Sequence, residues 1–306
     1  MHKSNKYLVV VLGPTAVGKT ALCLKLAKKF ETEIISADSR QFYRETEIGT
    51  AKPSFDELQE VKHHFVGHKS IWENYDVKTF ENDTLSLLES IFKKKDLVIL
   101  TGGSGLFIDV VCSGLDEIPD VDPLIRKELI ESFEKNGIES LQKELESFDP
   151  EYFKIVDLNN PQRLMRALEV CRGTGKAYSS FRKKTKKERP FEIIKIGLYR
   201  EREELYKMID LRMDIMIEQG LFAEASQLFE YHHLNALHTV GYTEIFGYLK
   251  GEYNKEEAVR LLKRNSRRYA KRQMTWFRKD PEVSWFQPNQ ENEIIKHVSQ
   301  RIKPIE

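Results

Sequence analysis

The stretch Tyr7-Leu-Val-Val-Val-Leu-Gly13-Pro-Thr-Ala-Val-Gly18-Lys19-Thr20 determines the fold class of this chain. An apolar run is followed by the pattern G-x-x-x-x-G-K-S/T and then by a helical pattern, the order in which a P-loop joins a strand to a helix. Glycines let backbone N–H groups face an anion, and the helix N-terminus adds partial positive charge. Lys19 can neutralise phosphate oxygens as a catalytic residue, and Thr20 can ligate Mg²⁺. We predict that a substrate's phosphates are held by Gly13, Pro14, Thr15, Ala16, Val17, Gly18, Lys19 and Thr20.

Three further segments have the short, β-branched and apolar pattern of parallel strands covered by helices. They are Glu33 to Ser36, Leu97 to Thr101 and Ile193 to Leu198. Amphipathic helical patterns separate the first strands, at Thr20 to Phe30 and at Phe80 to Lys94. This alternation predicts an α/β fold, a doubly wound parallel sheet with its ligand site at the carboxyl ends of the strands.

The domain organisation departs from this alternation in one place. Residues 115–189 have a helical, highly charged pattern without a convincing strand, so we predict an inserted helical domain there. Residues 1–114 and 190–306 then form the P-loop catalytic core, in which Arg200 to Lys279 is again helical and is expected to pack back as C-terminal helices.

Composition sets the class of protein. With 306 residues, 40% hydrophobic and 32% charged, the chain can bury one large core and still form a smaller domain. The sequence has neither a membrane-length apolar run nor a signal-peptide pattern, so we expect a cytoplasmic protein with no membrane partner. The three cysteines are widely spaced in apolar contexts and are expected to be buried free thiols. A net charge of +1 means that any binding of nucleic acid must come from local charge clusters.

Polar residues follow two of the predicted strands. Asp38, after the second strand, could ligate Mg²⁺, cap a helix or act as a general base. Ser104 follows the third strand in a glycine-rich turn and offers a hydroxyl to the same crevice, although the segment alone could be a simple strand-to-helix turn. The P-loop itself is compatible with a small-molecule kinase, a nucleotide hydrolase or a transferase with a diphosphate leaving group.

Taken together, these segments resemble the tRNA dimethylallyltransferases, also called tRNA isopentenyltransferases. The resemblance spans most of the chain and depends on the order and spacing of its motifs. Beyond the P-loop the matching segments are Asp38-Ser39, Gln41-Phe-Tyr43, Ile48-Gly-Thr-Ala-Lys-Pro53, His63-His64, Gly102-Gly-Ser104, Asn160-Pro-Gln-Arg-Leu-Met-Arg-Ala-Leu-Glu169, Val240-Gly-Tyr242 and Ala270-Lys-Arg-Gln-Met-Thr-Trp276.

The resemblance implies transfer of a dimethylallyl group from dimethylallyl diphosphate to N6 of the adenosine immediately 3′ of the tRNA anticodon, position 37. The P-loop and Mg²⁺ would then hold the diphosphate, together with Arg212, which by its local sequence alone resembles a solvated helix arginine. Asp38 matches the family's base. Ser104 stands where the family has threonine and keeps the catalytic hydroxyl. The implied partners are the anticodon stem-loop of tRNA and the prenyl diphosphate, and we expect a monomer.

The resemblance also implies the positions that contact tRNA. They are Asp38, Ser39, Arg40, Gln41, Gln162, Arg163, Leu164, Met165, Arg166 and Gly241. Phe107 replaces a common tyrosine, and His238 and Thr243 occupy positions where many relatives carry arginine, so contacts there are expected to differ.

Two basic stretches could bind RNA. Between Lys263 and Lys279 the chain has eight cations and no acid, and we predict that this helix faces tRNA phosphates through Arg268, Lys271 and Arg272. The stretch Arg182 to Arg189 could be either an RNA-binding loop or a solvated linker.

Three other functions remain open on sequence alone. They are prenyl transfer to a free adenine nucleotide, a P-loop small-molecule kinase in which Asp38 activates a hydroxyl, and an RNA-binding NTPase.

Overall fold

The computed structural model describes residues 5–183 and 185–302. The chain divides into two compact units, one comprising Met1–Cys112 with Glu188–Glu306 and the other Ser113–Lys187. Lys184, in the second basic stretch, lies outside the described residues, as do residues 1–4 and 303–306.

The first unit contains a six-stranded sheet in which every pair of neighbouring strands is parallel. The strands are β1 (Tyr7–Leu12), β2 (Ile34–Ser36), β3 (His63–His64), β4 (Leu97–Gly102), β5 (Glu192–Leu198) and β6 (Ser284–Phe286), in the order β3-β2-β4-β1-β5-β6. All six residues of β1 are buried, as expected for a central parallel strand covered on both faces. The predicted parallel sheet and its four main strands are confirmed, whereas the short edge strands β3 and β6 were not predicted.

The N-terminal helices lead from one strand to the next. They are α1 (Lys19–Lys29), α2 (Phe55–Glu60), α3 (Val77–Phe92) and α4 (Gly105–Ser113). Because β1, β2 and β4 are parallel neighbours, the segments that follow them meet at one edge of the sheet. The P-loop, Asp38 and the turn at Gly103 are therefore adjacent.

The second unit is helical and has its own core. Its helices are α5 (Pro123–Asn136), α6 (Ile138–Phe148), α7 (Pro150–Phe153) and α8 (Pro161–Thr174). Asp122, Asp149 and Asn160 cap α5, α7 and α8, each followed by a proline that suits the first helical position. The core includes Leu164 and Met165, which are 0% and 2% exposed. Their side chains therefore stabilise this unit and are not available to RNA, contrary to the implied contacts.

The C-terminal helices of the first unit are α9 (Arg202–Glu218), α10 (Leu221–Gln227), α11 (Tyr242–Leu249), α12 (Lys255–Phe277) and α13 (Glu291–Arg301). Asn254 caps α12 by accepting a hydrogen bond from Glu257 N–H at 2.9 Å. Ion pairs join α12 to α9, since Arg267 contacts Asp210 and Lys263 contacts Asp214, each at 2.5 Å.

No helix among residues 5–183 and 185–302 combines the length and apolarity that a membrane crossing needs. Cys23, Cys112 and Cys171 are buried free thiols, as predicted. Burial raises the pKa of Cys23 and of Cys112 to about 12, so neither is a thiolate at neutral pH.

Candidate active site

The P-loop after β1 has the backbone conformation that its glycines permit. Gly13 and Gly18 have φ of 149° and 111°, and a Cβ at Gly13 would lie 2.7 Å from the carbonyl oxygen of Leu198. Lys19 Nζ donates to the carbonyl oxygens of Gly13 and Pro14 at 2.9 and 2.8 Å. The ammonium group is thus held inside the loop, where an anion would meet it.

A cavity of about 320 Å³ lies at the carboxyl ends of β1, β2 and β4. It brings the P-loop together with Asp38 and Arg212, residues far apart in the sequence. The lining comprises Thr15, Ala16, Val17, Gly18, Lys19, Thr20, Ala21, Ser36, Asp38, Gln41, Thr50, Ala51, Glu57, Thr101, Gly102, Gly103, Arg212, Tyr269 and Gln273.

The electrostatics of this cavity favour an anion. Burial lowers the pKa of Lys19 to about 8, with Asp38 opposing the shift and Arg212 adding to it. Burial also lowers the pKa of Arg212, and its Nε is buried with no hydrogen-bond partner among the described residues. A buried guanidinium N–H without a protein acceptor is suited to a phosphate oxygen.

Asp38 is half-buried beside this cationic group. Its Oδ1 accepts a hydrogen bond from Arg40 N–H at 3.1 Å, which is an Asx-type turn, and no helix begins there. The helix-cap alternative is therefore excluded. Its Oδ2 lies 3.4 Å from the position that a Cβ on Gly103 would occupy, so the carboxylate faces the turn after β4.

Ser104 is part of a small hydroxyl cluster beside the cavity. Its Oγ accepts from Ser39 N–H at 3.1 Å and lies 3.0 Å from Ser39 Oγ. A hydrogen bond also links it to Tyr269, whose pKa is raised by burial and then by Asp38. Sequence reasoning missed Tyr269 and Gln273, which are uncharged residues four apart inside the basic run of α12.

Gln41 supports the cavity wall from within the protein. Its Nε2 donates to the carbonyl oxygens of Thr50 and Ala51 at 3.3 and 3.0 Å, and its Oε1 accepts from Ser36 Oγ at 3.1 Å. The side-chain amide of Gln41, which the resemblance implies as a tRNA contact, is therefore already hydrogen-bonded within the protein.

The wall segment around the 3₁₀ helix Ile48–Thr50 is held by Glu224. This carboxylate accepts from the N–H groups of residues 47, 48 and 49 at 2.8–3.0 Å and from Tyr242 Oη at 2.6 Å. A Cβ on Gly49 would lie 2.4 Å from the Tyr242 ring. Two motifs that are distant in the sequence, Ile48–Pro53 and Val240–Tyr242, therefore form one packed unit that sequence reasoning did not connect.

The nearby tRNA-contact candidates Arg40 and Gly241 are both tied into the fold. Arg40 donates to the carbonyl oxygens of Asn235, Ala236 and His238 at 2.7–3.2 Å. Gly241 is buried with φ of 110°, and its N–H donates to Glu244 Oε2 at 2.7 Å. Its N–H is therefore engaged within the protein, and it has no side chain to offer to RNA.

The basic residues of α12 divide into two groups. Lys263 and Arg267, two of the eight cations in this run, pair with acids on α9 and therefore do not face phosphate. A separate open cavity of about 390 Å³ contains the three predicted contacts and has no acid among its described lining residues. Its lining comprises Arg268, Lys271, Arg272, Thr275, Trp276 and Lys279.

In the second basic stretch, Arg182 to Arg189, the last arginine has a structural role. Arg189 is buried, pairs with Glu81 at 2.5 Å and donates to the carbonyl oxygens of Val110 and Val111 at 2.6 and 2.9 Å. It is a structural residue of the first unit and neither an RNA contact nor part of a solvated linker.

In the helical unit, three candidates lie exposed at the start of α8. Gln162 accepts a hydrogen bond from Arg126, Arg166 pairs with Glu169 at 3.2 Å, and Arg163 is exposed. Unlike Leu164 and Met165, these side chains are open to solvent.

Comparisons with known proteins agree on the family. Residues 41–280 match the model of the IPP transferase family. The tRNA dimethylallyltransferase of Cytophaga hutchinsonii is 51% identical over 299 residues, covering 98% of each chain. The crystal structure of the full-length tRNA isopentenylpyrophosphate transferase of Bacillus halodurans is 36% identical, with a TM-score of 0.71 over 97% of each chain. A eukaryotic dimethylallyltransferase described as acting on tRNA is 26% identical, with a TM-score of 0.79 over 97% of this chain and 77% of that one. This chain therefore belongs to the IPP transferase family.

Proposed function

We propose that this protein transfers a dimethylallyl group from dimethylallyl diphosphate to N6 of adenosine 37 in tRNA, using a doubly wound P-loop core with C-terminal helices and an inserted helical unit that binds tRNA. The observation that carries the proposal is one cavity in which Lys19 and Arg212, whose buried Nε has no hydrogen-bond partner among the described residues, lie with the carboxylate of Asp38. Such a cavity suits a diphosphate and a nucleophile that must lose a proton. Because the acceptor is a tRNA, we place the reaction in the cytoplasm, with the enzyme acting as a monomer.

The donor half of the cavity would bind the leaving group. As the allylic C–O bond breaks, negative charge grows on the diphosphate, and Lys19, Arg212 and the N–H groups at the start of α1 would stabilise it. These cations are at least partly buried, so their interaction with the developing charge is less screened than at an open surface.

The site fits a magnesium ion that is held mainly by substrate. Thr20 belongs to the cavity lining, whereas the described residues contain no cluster of three or more His, Cys, Asp or Glu able to hold a metal. Mg²⁺ commonly keeps several waters and binds through few protein ligands plus substrate phosphates. When bound, it would neutralise charge on the diphosphate.

The acceptor half of the cavity would activate the adenine amine. The lone pair of N6 is delocalised into the ring, so removal of its proton helps the attack. Asp38 would accept that proton while N6 forms its bond to the allylic carbon and diphosphate leaves. The hydroxyls of Ser104 and Ser39 would orient the base, which must be extruded from the stacked anticodon loop.

The open surface of α12 would bind the RNA. Arg268, Lys271 and Arg272 line it, and none of its described lining residues is an acid, an arrangement that suits phosphates. In the helical unit, Gln162, Arg163 and Arg166 are the exposed candidates. Such surfaces would have no use if the acceptor were a free adenine nucleotide.

A choice of acceptors tests this function. We expect the wild-type protein, supplied with Mg²⁺ and dimethylallyl diphosphate, to prenylate an anticodon stem-loop and to leave AMP, ADP and ATP unmodified. Prenylation of the free nucleotides in preference to the RNA would favour the adenylate transferase alternative. Transfer of the ATP γ-phosphate, or RNA-stimulated ATP hydrolysis without prenylation, would favour the kinase or the NTPase.

Replacing Arg268, Lys271 and Arg272 with alanine should raise KM for tRNA while the affinity for dimethylallyl diphosphate stays near wild type. Each lost phosphate contact should reduce the slope of log K against log salt by roughly 0.7–0.9, because fewer counterions are released. The measurement is tRNA binding over a salt series. Lys29, Lys93 and Lys94 form a matched control, since these exposed lysines lie at the C-terminal ends of α1 and α3, at the opposite edge of the sheet. An unchanged salt slope in the α12 variant would contradict the RNA-binding surface.

A further inference from the structure

Gln273 of α12 connects two distant segments of the cavity wall. Its Oε1 accepts a hydrogen bond from Thr15 N–H in the P-loop at 2.8 Å, and its Nε2 donates to the Gly103 carbonyl oxygen at 2.9 Å. The residue is 5% exposed. Only one orientation of the amide satisfies both a donor N–H and an acceptor C=O, so the two bonds fix the side chain completely.

The turn after β4 leaves space for this amide. A Cβ on Gly103 would lie 2.4 Å from Gln273 Nε2 and 3.4 Å from Asp38 Oδ2. Gly103 is not in the left-handed region, so it is the close contact and not the backbone conformation that requires glycine here. Gln273 and Asp38 therefore both lie against Gly103.

Two separate sets of hydrogen bonds therefore hold the P-loop in place. Lys19 Nζ holds the loop through the carbonyl oxygens of Gly13 and Pro14, and Gln273 holds the next residue through the N–H of Thr15. The first anchor is local, whereas the second ties the loop to the turn beside Asp38.

We infer that Gln273 is a positioning residue that fixes the distance between the P-loop and Asp38. This inference rests on the proposed function, in which the P-loop grips the prenyl donor and Asp38 takes the proton of the acceptor amine. Both ends of the Gln273 amide are engaged with the protein in these two bonds, so we assign it a positioning role and no step of the chemistry. Its effect should appear in the reaction step, because a displacement of about 1 Å between reacting groups can cost roughly 100-fold in rate.

The first test replaces Gln273 with methionine, which keeps the volume of the side chain and removes both hydrogen bonds. We expect the single-turnover rate at saturating tRNA and dimethylallyl diphosphate to fall about 10- to 100-fold. The donor Kd should change by less than about threefold, because Lys19 and Arg212 are retained. Ser266→Ala is the matched control, since Ser266 is a buried polar residue of the same helix that contacts Met213 and not the cavity. It should lower the melting temperature without changing the rate.

The second test changes Gly103, the other residue of the same contact. Gly103→Ala would push a Cβ against Gln273 Nε2, so it should slow the reaction in the wild-type background. In a Gln273→Ala background the clashing group is absent, and Gly103→Ala should add no further loss. This non-additivity is specific to the contact and is not expected from a general loss of stability.

Three results would overturn the inference. One is a rate for Gln273→Met within about threefold of wild type at a lower melting temperature, which would make the residue purely structural. Another is a donor affinity that falls in proportion to the rate, because Gln273 would then contribute to donor binding and not to the distance between the P-loop and Asp38. The third is additive losses in the double variant. Failure of the proposed function gives a different result, because the wild-type protein itself would then not prenylate tRNA.

Discussion

Asp38→Asn is expected to lower the single-turnover rate of prenyl transfer by roughly 10²- to 10⁴-fold, the usual contribution of a positioned general base. Asparagine keeps the shape of the side chain and can still accept the hydrogen bond from Arg40 N–H, so the turn should persist. The donor contacts of the P-loop and Arg212 are unchanged. Donor affinity should therefore stay close to wild type, as measured by binding of dimethylallyl diphosphate.

Glu57→Gln provides the control for Asp38. Glu57 lines the same cavity, and its side chain accepts from Ser54 N–H at 2.7 Å, a bond that glutamine can keep. Both substitutions remove one negative charge from the cavity, but only one removes the base. Equal losses in the two variants would mean that Asp38 acts through its charge alone. A rate within threefold of wild type for Asp38→Asn would remove it from the role of base.

Lys19→Ala should produce the second large effect, weakening both donor binding and turnover by roughly 10²- to 10³-fold, as expected for loss of a buried donor to developing charge. The structural reason is that Lys19 Nζ is fixed inside the loop and no other lysine lines the cavity among the described residues. Lys25→Ala is the matched control, because Lys25 lies on the same helix and pairs with Glu291 outside this cavity. Unchanged donor affinity and turnover in Lys19→Ala would mean that the P-loop serves another ligand.

The lowered pKa of Lys19 gives the donor affinity a characteristic dependence on pH. Burial places this pKa at about 8 in the free protein, and a bound diphosphate would favour the protonated form. As the pH rises through about 8, binding must be accompanied by proton uptake, so the affinity should fall by up to about tenfold per pH unit. Lys19→Ala should remove this dependence. Titration of the donor itself would affect both proteins alike, so the same slope in the variant would contradict the assignment.

The central sheet and half of the cavity were predictable from sequence because they depend on local patterns. The apolar run of β1 and the glycines of the P-loop specify a strand, a turn and a helix in succession. Asp38 and Gly103 follow two other strands, and parallel neighbours bring such positions to one edge. The residues of the edge strands β3 and β6 are all only partly buried, so these strands lack the continuous apolar pattern that marks the equally short but buried β2.

The other half of the cavity depends on contacts that no local pattern contains. Gln273 bonds to Thr15 across 258 positions of the chain. Gln273 is a polar residue within a basic helix, so the sequence does not indicate which face of that helix is buried. The same applies to Arg267, whose acid partner Asp210 lies on another helix, so an acid-free run in sequence is not acid-free in space. The resemblance to a family supplied Arg212, and the buried, unpartnered Nε supplies the physical reason for it.

The most direct test is to identify the modified nucleoside. Unmodified tRNA transcript with adenosine at position 37 would be incubated with the wild-type protein, Mg²⁺ and dimethylallyl diphosphate, then digested and analysed by mass spectrometry. A transcript with guanosine at position 37 would serve as the matched control. We predict N6-dimethylallyl adenosine from the first transcript and none from the second. Equal prenylation of both transcripts, or no prenylated nucleoside from either, would contradict the proposed function.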